Sequence, residues 1–571
     1  MRKIRLLLSL VLVAFPAAAG VTACGGDDGA SSSGGPPDAS ANDGNNNGDT
    51  GASQDSGSSA PQAKASAVSA YLGQSVALDG SSSTGPNGFT YSWVVKAVPA
   101  GSAIATSSLA GATTAKPTFV PDKPGAYALT LTITAGAATS SVDVAATVVD
   151  PPVFYFHTEN DAGAEFQASL NVVGAAAGNN GSAVSCFSRD GGSYDFLAAN
   201  SAKVGTDWWE APAGEPSRVV FGFETPADGG STSILAATTS AATCVTPPTK
   251  LDTYVGDPPG GRSFEQPHFS PSGNRIAYVR NNVEGARIAT IGFDGSSPRV
   301  VSALLALVDG GPNPDAGVEG VPGARPVWVD ETTVAWLQVL DGANWQIVSA
   351  PDAANAAPTL LMSCTGEAPS QFDFLPSGEV IVSQASGTGN EKVSNIVAYP
   401  ITAATKACGA ARNISQLTST SANSFAADFS LSPDKTRVAY QTNDDTAAKQ
   451  EVVVARVDGT TPPVSIAAPL SGSNRGPRWV GGGAFITWGI NGAQFDAGLT
   501  GNAVAVVAAD GGAGRAAAIS QPGTTTQAIG NGRFSCSFAP AVGSGVSVFG
   551  IAGILALRLV RRRRPLTPFS R

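Results

Sequence analysis

Short apolar runs broken by turn residues recur along most of the chain. Tyr127, Leu129, Leu131 and Ile133 alternate strictly with small or hydroxyl residues, the period-two signature of a strand with one buried face. Runs at 75–78, 90–95 and 141–149 predict neighbouring strands. Beyond residue 150 the pattern repeats itself. Phe269-Ser270-Pro271-Ser272-Gly273-Asn274-Arg275-Ile276-Ala277-Tyr278 matches Leu431-Ser432-Pro433-Asp434-Lys435-Thr436-Arg437-Val438-Ala439-Tyr440 almost position for position, 162 residues later. Weaker copies give marks at 276, 334, 380, 438 and 485, with steps of 58, 46, 58 and 47. Arg218-Val219-Val220-Phe221 and Val153-Phe154-Tyr155-Phe156 extend the series upstream.

Each unit reads as a small antiparallel sheet with apolar residues on both faces. Such a sheet is unstable alone and must stack on its copies. Units near 50 residues with several short strands predict propeller blades, closed into a ring that protects strand edges. The chain is therefore predicted to be all-β: a β-sandwich over 63–149, then a β-propeller over 150–536. Seven blades are favoured, with six as the alternative because 153–156 fits the series loosely. Residues 150–190 and 490–536 would meet to close the ring. Asp294-Gly295, Asp458-Gly459 and Asp510-Gly511 read as hairpin turns; none has the spacing of a calcium loop.

The two ends follow another logic. Arg2, Lys3 and Arg5 precede a short apolar stretch at 6–15, the layout of an export signal over 1–23. Residues 24–62 are Gly, Ser, Asp, Asn, Ala and Pro with almost no apolar bulk. Such a segment cannot offset its ordering entropy and reads as a disordered tether spanning roughly 30–40 Å. At the other end, 538–557 is uncharged and long enough for a transmembrane-type helix. Arg558 and Arg561-Arg562-Arg563-Arg564 follow it, a positive-inside stop within 537–571.

Composition narrows the chemistry. Charged residues make up only 14%, and there are 67 Gly and 39 Pro, which disfavours a helical bundle. The formal charge is −10 overall; with the basic ends set aside, 24–536 carries −19. A body that acidic repels phosphate backbones, so no nucleic-acid partner is expected. Only His157 and His268 are present, so no metal site or cofactor is expected and a hydrogen-bonded structural role is favoured for both. Cys186, Cys244, Cys364 and Cys408 form no C-x-x-C pair. Their separations of 58 and 44 are each about one blade, which predicts disulfides Cys186–Cys244 and Cys364–Cys408; four cysteines allow three pairings.

Four resemblances add to this reading. Val21-Thr22-Ala23-Cys24 resembles a bacterial lipobox, which implies cleavage before Cys24 and its lipidation. Gly25 rather than Asp follows, which in that family implies delivery to the outer membrane or cell surface. Asp79-Gly80-Ser81-Ser82-Ser83, Tyr91-Ser92-Trp93, Pro99-Ala100-Gly101-Ser102, Pro117-Thr118-Phe119-Val120-Pro121-Asp122 and Gly125-Ala126-Tyr127-Ala128-Leu129 resemble a PKD-type immunoglobulin-like domain. Val94-Val95-Lys96 replaces the usual Gly-Asp-Gly turn, and Trp93 is expected in the core. The Ser-Pro-x-x-x-Arg-Ile/Val-Ala-Tyr unit resembles the WD40-like repeat of TolB-type propellers. Cys536, the apolar stretch and the arginine cluster resemble a myxobacterial C-terminal sorting tail, which implies processing near Cys536.

The combined expectation is a non-enzymatic envelope lipoprotein, held to the membrane by its N-terminal lipid, that presents a propeller to a protein or glycan. A TolB-like periplasmic scaffold and a propeller-type hydrolase or lyase are the alternatives. There is no G-x-S-x-G and no H-E-x-x-H, so no catalytic residue is assigned. Trp208, Trp209 and Trp345 are candidate ligand contacts if exposed, although blade packing is the commoner role for such residues.

Overall fold

A computed structural model describes residues 60–529 apart from 161–165, 176–183, 188–205, 226–230, 241–242, 245–248, 255–262, 283–284, 304, 306–325, 342–343, 387–392, 418–424, 445–448, 495–499, 511–514 and 519–524. The export signal, most of the tether, Cys24, Cys536 and Arg561–Arg564 lie outside the described residues. Those described are strand and turn, with one 3₁₀ turn at Thr106–Ser108. None of their helices is long and apolar enough to cross a membrane.

The first sheet pairs Val68–Tyr71 with Ala138–Val149, then Gly125–Ala135, then Thr90–Ala97. Tyr127, Leu129, Leu131 and Ile133 are all buried, while their neighbours along the strand are half-exposed or, at Ala126, exposed. Alternation thus decides which face meets the core, and each buried side chain contributes roughly 1.5–3 kcal/mol. Val76–Ala77 and Thr118–Phe119 make a second, two-stranded sheet over the same core. Trp93 is buried in that core and its Nε1 donates to the Thr114 carbonyl at 3.1 Å.

From Pro152 onward a four-strand antiparallel meander recurs. One is Ser263–Phe269, Arg275–Asn282, Gly285–Gly292 and Arg299–Val300. The eight-stranded sheet is two meanders joined by the single parallel register pair Ser394↔Phe425. The strand Thr525–Ile529 returns to pair with Pro152–Asn160, so one sheet takes its first strand from the end of the chain and the rest from residues 152–187. Successive antiparallel meanders closed in this way are the architecture of a β-propeller.

The repeated motif explains each meander locally. Phe269 and Leu431 end the first strand; Ser270 and Ser432 turn the chain. In each copy the serine N–H donates to the arginine carbonyl, Arg275 at 2.8 Å and Arg437 at 2.9 Å. The serine Oγ accepts the arginine N–H at 3.2 and 3.0 Å. Ile276, Ala277 and Tyr278, like Val438, Ala439 and Tyr440, are buried, so both faces of the second strand meet neighbouring sheets. Register places the last mark at Ile486, opposite Trp479, one residue beyond the position the sequence suggests. Gly295 (φ 82°) and Gly459 (φ 67°) adopt the left-handed turn conformation, and Asp458 Oδ1 caps its turn through the Thr460 N–H at 3.0 Å. Gly511 lies outside the described residues.

The sandwich rests on the first turns of two meanders. The Tyr71 hydroxyl donates to the Ala211 carbonyl at 2.8 Å, and Phe485 packs against the sandwich core. Burial, and next the nearby Glu210 charge, push the Tyr71 hydroxyl well above the usual tyrosine range. Glu210 in turn accepts from the Gly481 N–H at 2.6 Å and the Gly482 N–H at 2.9 Å, 271 and 272 residues away.

Candidate functional site on the inner strands

First strands of neighbouring meanders pack on one another, Thr206–Trp209 on Ser263–Phe269 and Phe425–Leu431 on Ser473–Val480, as the inner strands of a propeller do, and register defines equivalent positions on them. Asp207 faces Val220, His268 faces Ala277, Val327 faces Ala335, and Asp373 faces Ile381. Ser430 faces Ala439, Arg478 faces Thr487, and Ala528 faces Tyr155. Four of these seven positions carry ionisable side chains. The next residue along is apolar throughout the described set, among them Trp208, Phe269, Trp328 and Trp479, all buried. Strand alternation therefore separates a packing level from a polar level one residue away.

Three inner strands carry a bulge just before the polar level, between Glu265 and His268, Ala427 and Ser430, and Arg475 and Arg478. Gln266 (φ 49°), Asp428 (φ 52°) and Gly476 (φ 62°) take the left-handed conformation there. A bulge re-aims the side chain that follows it. In the first case that side chain is His268.

His268 Nδ1 lies 2.8 Å from Asp207 Oδ2 on the preceding meander, and the same oxygen accepts the Phe269 N–H at 2.8 Å. A carboxylate only accepts, so Nδ1 carries a proton; in the neutral ring Nε2 is then an acceptor. Asp207 is 2% exposed, and its Oδ1 has no partner among the described residues. The His268 side chain keeps 21% of its surface. Trp328 Nε1 donates to the His268 carbonyl at 3.0 Å, and Trp479 Nε1 does the same to Ser430 at 2.8 Å, which fixes both inner strands against their successors.

A second clasp makes an internal comparison. Gln371, also 2% exposed, donates through Nε2 to the Phe429 carbonyl at 2.6 Å and accepts the Phe429 N–H at 3.1 Å. It ties two neighbouring inner strands with a neutral side chain. Elsewhere at the polar level Lys435 Nζ reaches Asp373 Oδ1 at 3.5 Å and the Phe374 carbonyl at 2.9 Å. Arg478 is 2% exposed and donates to the Pro477 carbonyl at 2.9 Å. Among the described residues no cluster of three His, Cys, Asp or Glu side chains is arranged to hold a metal ion.

The other singled-out residues fall as follows. Cys364 and Cys408 are joined by a disulfide, Cα atoms 5.3 Å apart. Cys364 sits on Thr359–Thr365, the fourth strand of its meander, and Cys408 follows the third strand of the next. The bond therefore joins adjacent sheets. Cys186 lies on Val184–Phe187 and Cys244 on Thr243–Cys244, two strands that pack together; their side chains, and that of His157, lie outside the described residues. Trp208 and Trp345 are buried and present no ring to a ligand. Trp209 is half-buried, donates to the Pro271 carbonyl at 2.8 Å and stacks under Arg218 at 5.0 Å. These rings serve packing because each occupies a strand face pressed between sheets. Asp207 was missed by the sequence reading. Its signal was an acidic residue at the polar level once the 218–221 and 275–278 segments are aligned.

No family model matches the chain, and no curated protein does. Solved structures similar to it include puromycin hydrolase (14% identity, TM-score 0.41), over 66% of this chain and 54% of that one. Others are a putative TolB from Agrobacterium tumefaciens (15%, TM-score 0.31; 50% and 94%) and an oligogalacturonate lyase from Vibrio parahaemolyticus (8%, TM-score 0.34; 52% and 74%). The chain spans about half the length of puromycin hydrolase. With enzymes among these structures, prolyl endopeptidases included, the expectation of a non-enzymatic chain is overturned. Its weakness was physical: motif absence addresses only local constellations, whereas folding brings Asp207 to His268 across 61 residues.

Proposed function

We propose that the chain is an envelope lipoprotein, anchored through Cys24, that displays a seven-bladed propeller to a protein or glycan ligand at the outer membrane or cell surface. The observation that carries this reading is the pairing of Thr525–Ile529 with Pro152–Asn160. It turns a row of meanders into a ring with two open faces, and seven units along it, six of four strands and one of five among the described residues, support that blade number. Propeller faces suit recognition because loops converge there around a channel. The domain over 63–149 is read as a PKD-type immunoglobulin-like spacer. The Tyr127 hydroxyl donating to the Lys123 carbonyl at 2.9 Å supports this, as a tyrosine corner is a mark of such sandwiches. The 537–571 segment is read as a sorting tail processed near Cys536.

Two measurements test the reading. Labelled palmitate should enter the wild-type chain and not Cys24→Ser; equal labelling refutes the anchor. The purified protein should retain a saccharide on an oligosaccharide array or a defined envelope protein in a reciprocal binding assay. Failure of both refutes the ligand-display role.

A further inference from the structure

We propose that Asp207 and His268 build a saccharide-binding site at the polar level of the ring, with His268 Nε2 as its hydroxyl acceptor and Asp207 as its positioning residue. This rests on the reading of the ring as a ligand display and gives that display a site and a ligand class.

The argument begins with cost. Joining adjacent inner strands requires no charge, since Gln371 does it with a neutral amide that satisfies both Phe429 backbone groups. Between the 206–209 and 263–269 strands the chain instead uses a buried carboxylate; the bulge and left-handed non-glycine residue there, Gln266, have a counterpart at Asp428 on the strand that Gln371 clasps. A buried carboxylate oxygen left without a partner is unfavourable, and the neutral clasp at Gln371 shows that the strand contact does not require one. The effect of the carboxylate is to hold one imidazole with Nδ1 committed to Asp207 and Nε2 unclaimed by any described residue.

The chemistry of the ligand follows from what is left over. His268 Nε2 is an acceptor, Asp207 Oδ1 is a buried acceptor without a described partner, and so is Gln266 Oε1. Unpaired buried acceptors call for donors. A protonated amine would be one source. However, the Asp207 oxygen is shielded from solvent and already faces His268, so the atom presented outward is Nε2, which accepts in the neutral ring. Neutral acceptors beside a partly open surface match sugar hydroxyls, and a water molecule carried with the sugar can reach Oδ1.

The test uses the full chain purified in detergent and an array of neutral and acidic oligosaccharides, with wild type, His268→Ala, Asp207→Leu and Asp207→Asn compared at equal melting temperature. Wild type should bind at least one saccharide. His268→Ala should weaken that binding about tenfold, the equivalent of about 1.4 kcal/mol. Asp207→Leu, which removes the acceptor of the Nδ1 proton, should shift that proton toward Nε2, whereas Asp207→Asn, whose amide oxygen can still accept from both Nδ1 and the Phe269 N–H, should not. Nitrogen-15 NMR reads this directly, with only two histidines to assign and His157→Gln to separate them. Saccharide binding unchanged in His268→Ala, or a tautomer unmoved in Asp207→Leu, overturns the site. Retention of a protonated amine by wild type with no saccharide bound assigns a cationic ligand and also overturns it. A protein ligand without any saccharide overturns the site but leaves the display reading standing; no ligand of either kind removes both.

Discussion

Asp79 is the clearest single residue whose charge state is set by its turn. The Ser81 hydroxyl, then the Ser81 N–H and the Lys116 ammonium, hold its carboxyl at about 2. A carboxyl lowered on folding adds stability above its unfolded value near 4 and loses it as pH falls through 2. Asp79→Asn should therefore melt below wild type at neutral pH and match it near pH 2; a constant difference across that range would refute the assignment. Gly273 makes a second residue-level prediction. It takes φ 71° against the Trp209 ring, so Gly273→Ala should destabilise by about 1–3 kcal/mol in urea unfolding. Its counterpart in the other strong repeat is Lys435 at φ 53°. There a non-glycine residue is held in the same conformation while its ammonium reaches the Phe374 carbonyl and Asp373.

Among the elements, legibility followed burial pattern. The strand Gly125–Ala135 was readable from alternation, and the paired 269–278 and 431–440 segments from their match. Val68–Tyr71 and Thr118–Phe119 were not: one is a short edge strand and the other two residues long, too brief for a period to register. The bulges before His268, Ser430 and Arg478 were equally invisible, because a one-residue insertion is defined only against the partner strand. Hence the Asp207–His268 pair could not be read from either segment alone. Inter-sheet fastening gives two predictions at this scale. Gln371→Ala leaves the Phe429 N–H and carbonyl unpaired, and should cost about 1–3 kcal/mol in denaturant unfolding. Replacing Cys364 and Cys408 by Ala opens a loop with a sequence separation of 44, which in the loop-entropy account should cost about 4 kcal/mol. A melting curve unmoved by the double change would deny the bond a role in stability.

For the whole molecule, the vulnerable place is the seam where the end of the chain completes the first sheet. The strand that closes it, Thr525–Ile529, contains no copy of the repeat motif, so its partner is defined by topology rather than by local pattern. Glu210 bridges toward Gly481 and Gly482 on the far side of that sheet, and the sandwich touches both neighbours through Tyr71 and Phe485. Glu210→Ala should accordingly speed proteolysis near the seam while leaving distant sheets protected. The most direct test of the closed ring is a disulfide trap across the closing pair, with Ala528→Cys and Tyr155→Cys in one chain, since these residues face each other in the register. After mild oxidation, peptide mapping should recover the 155 and 528 peptides as one cross-linked species; two separately alkylated peptides would mean that the ring does not close there.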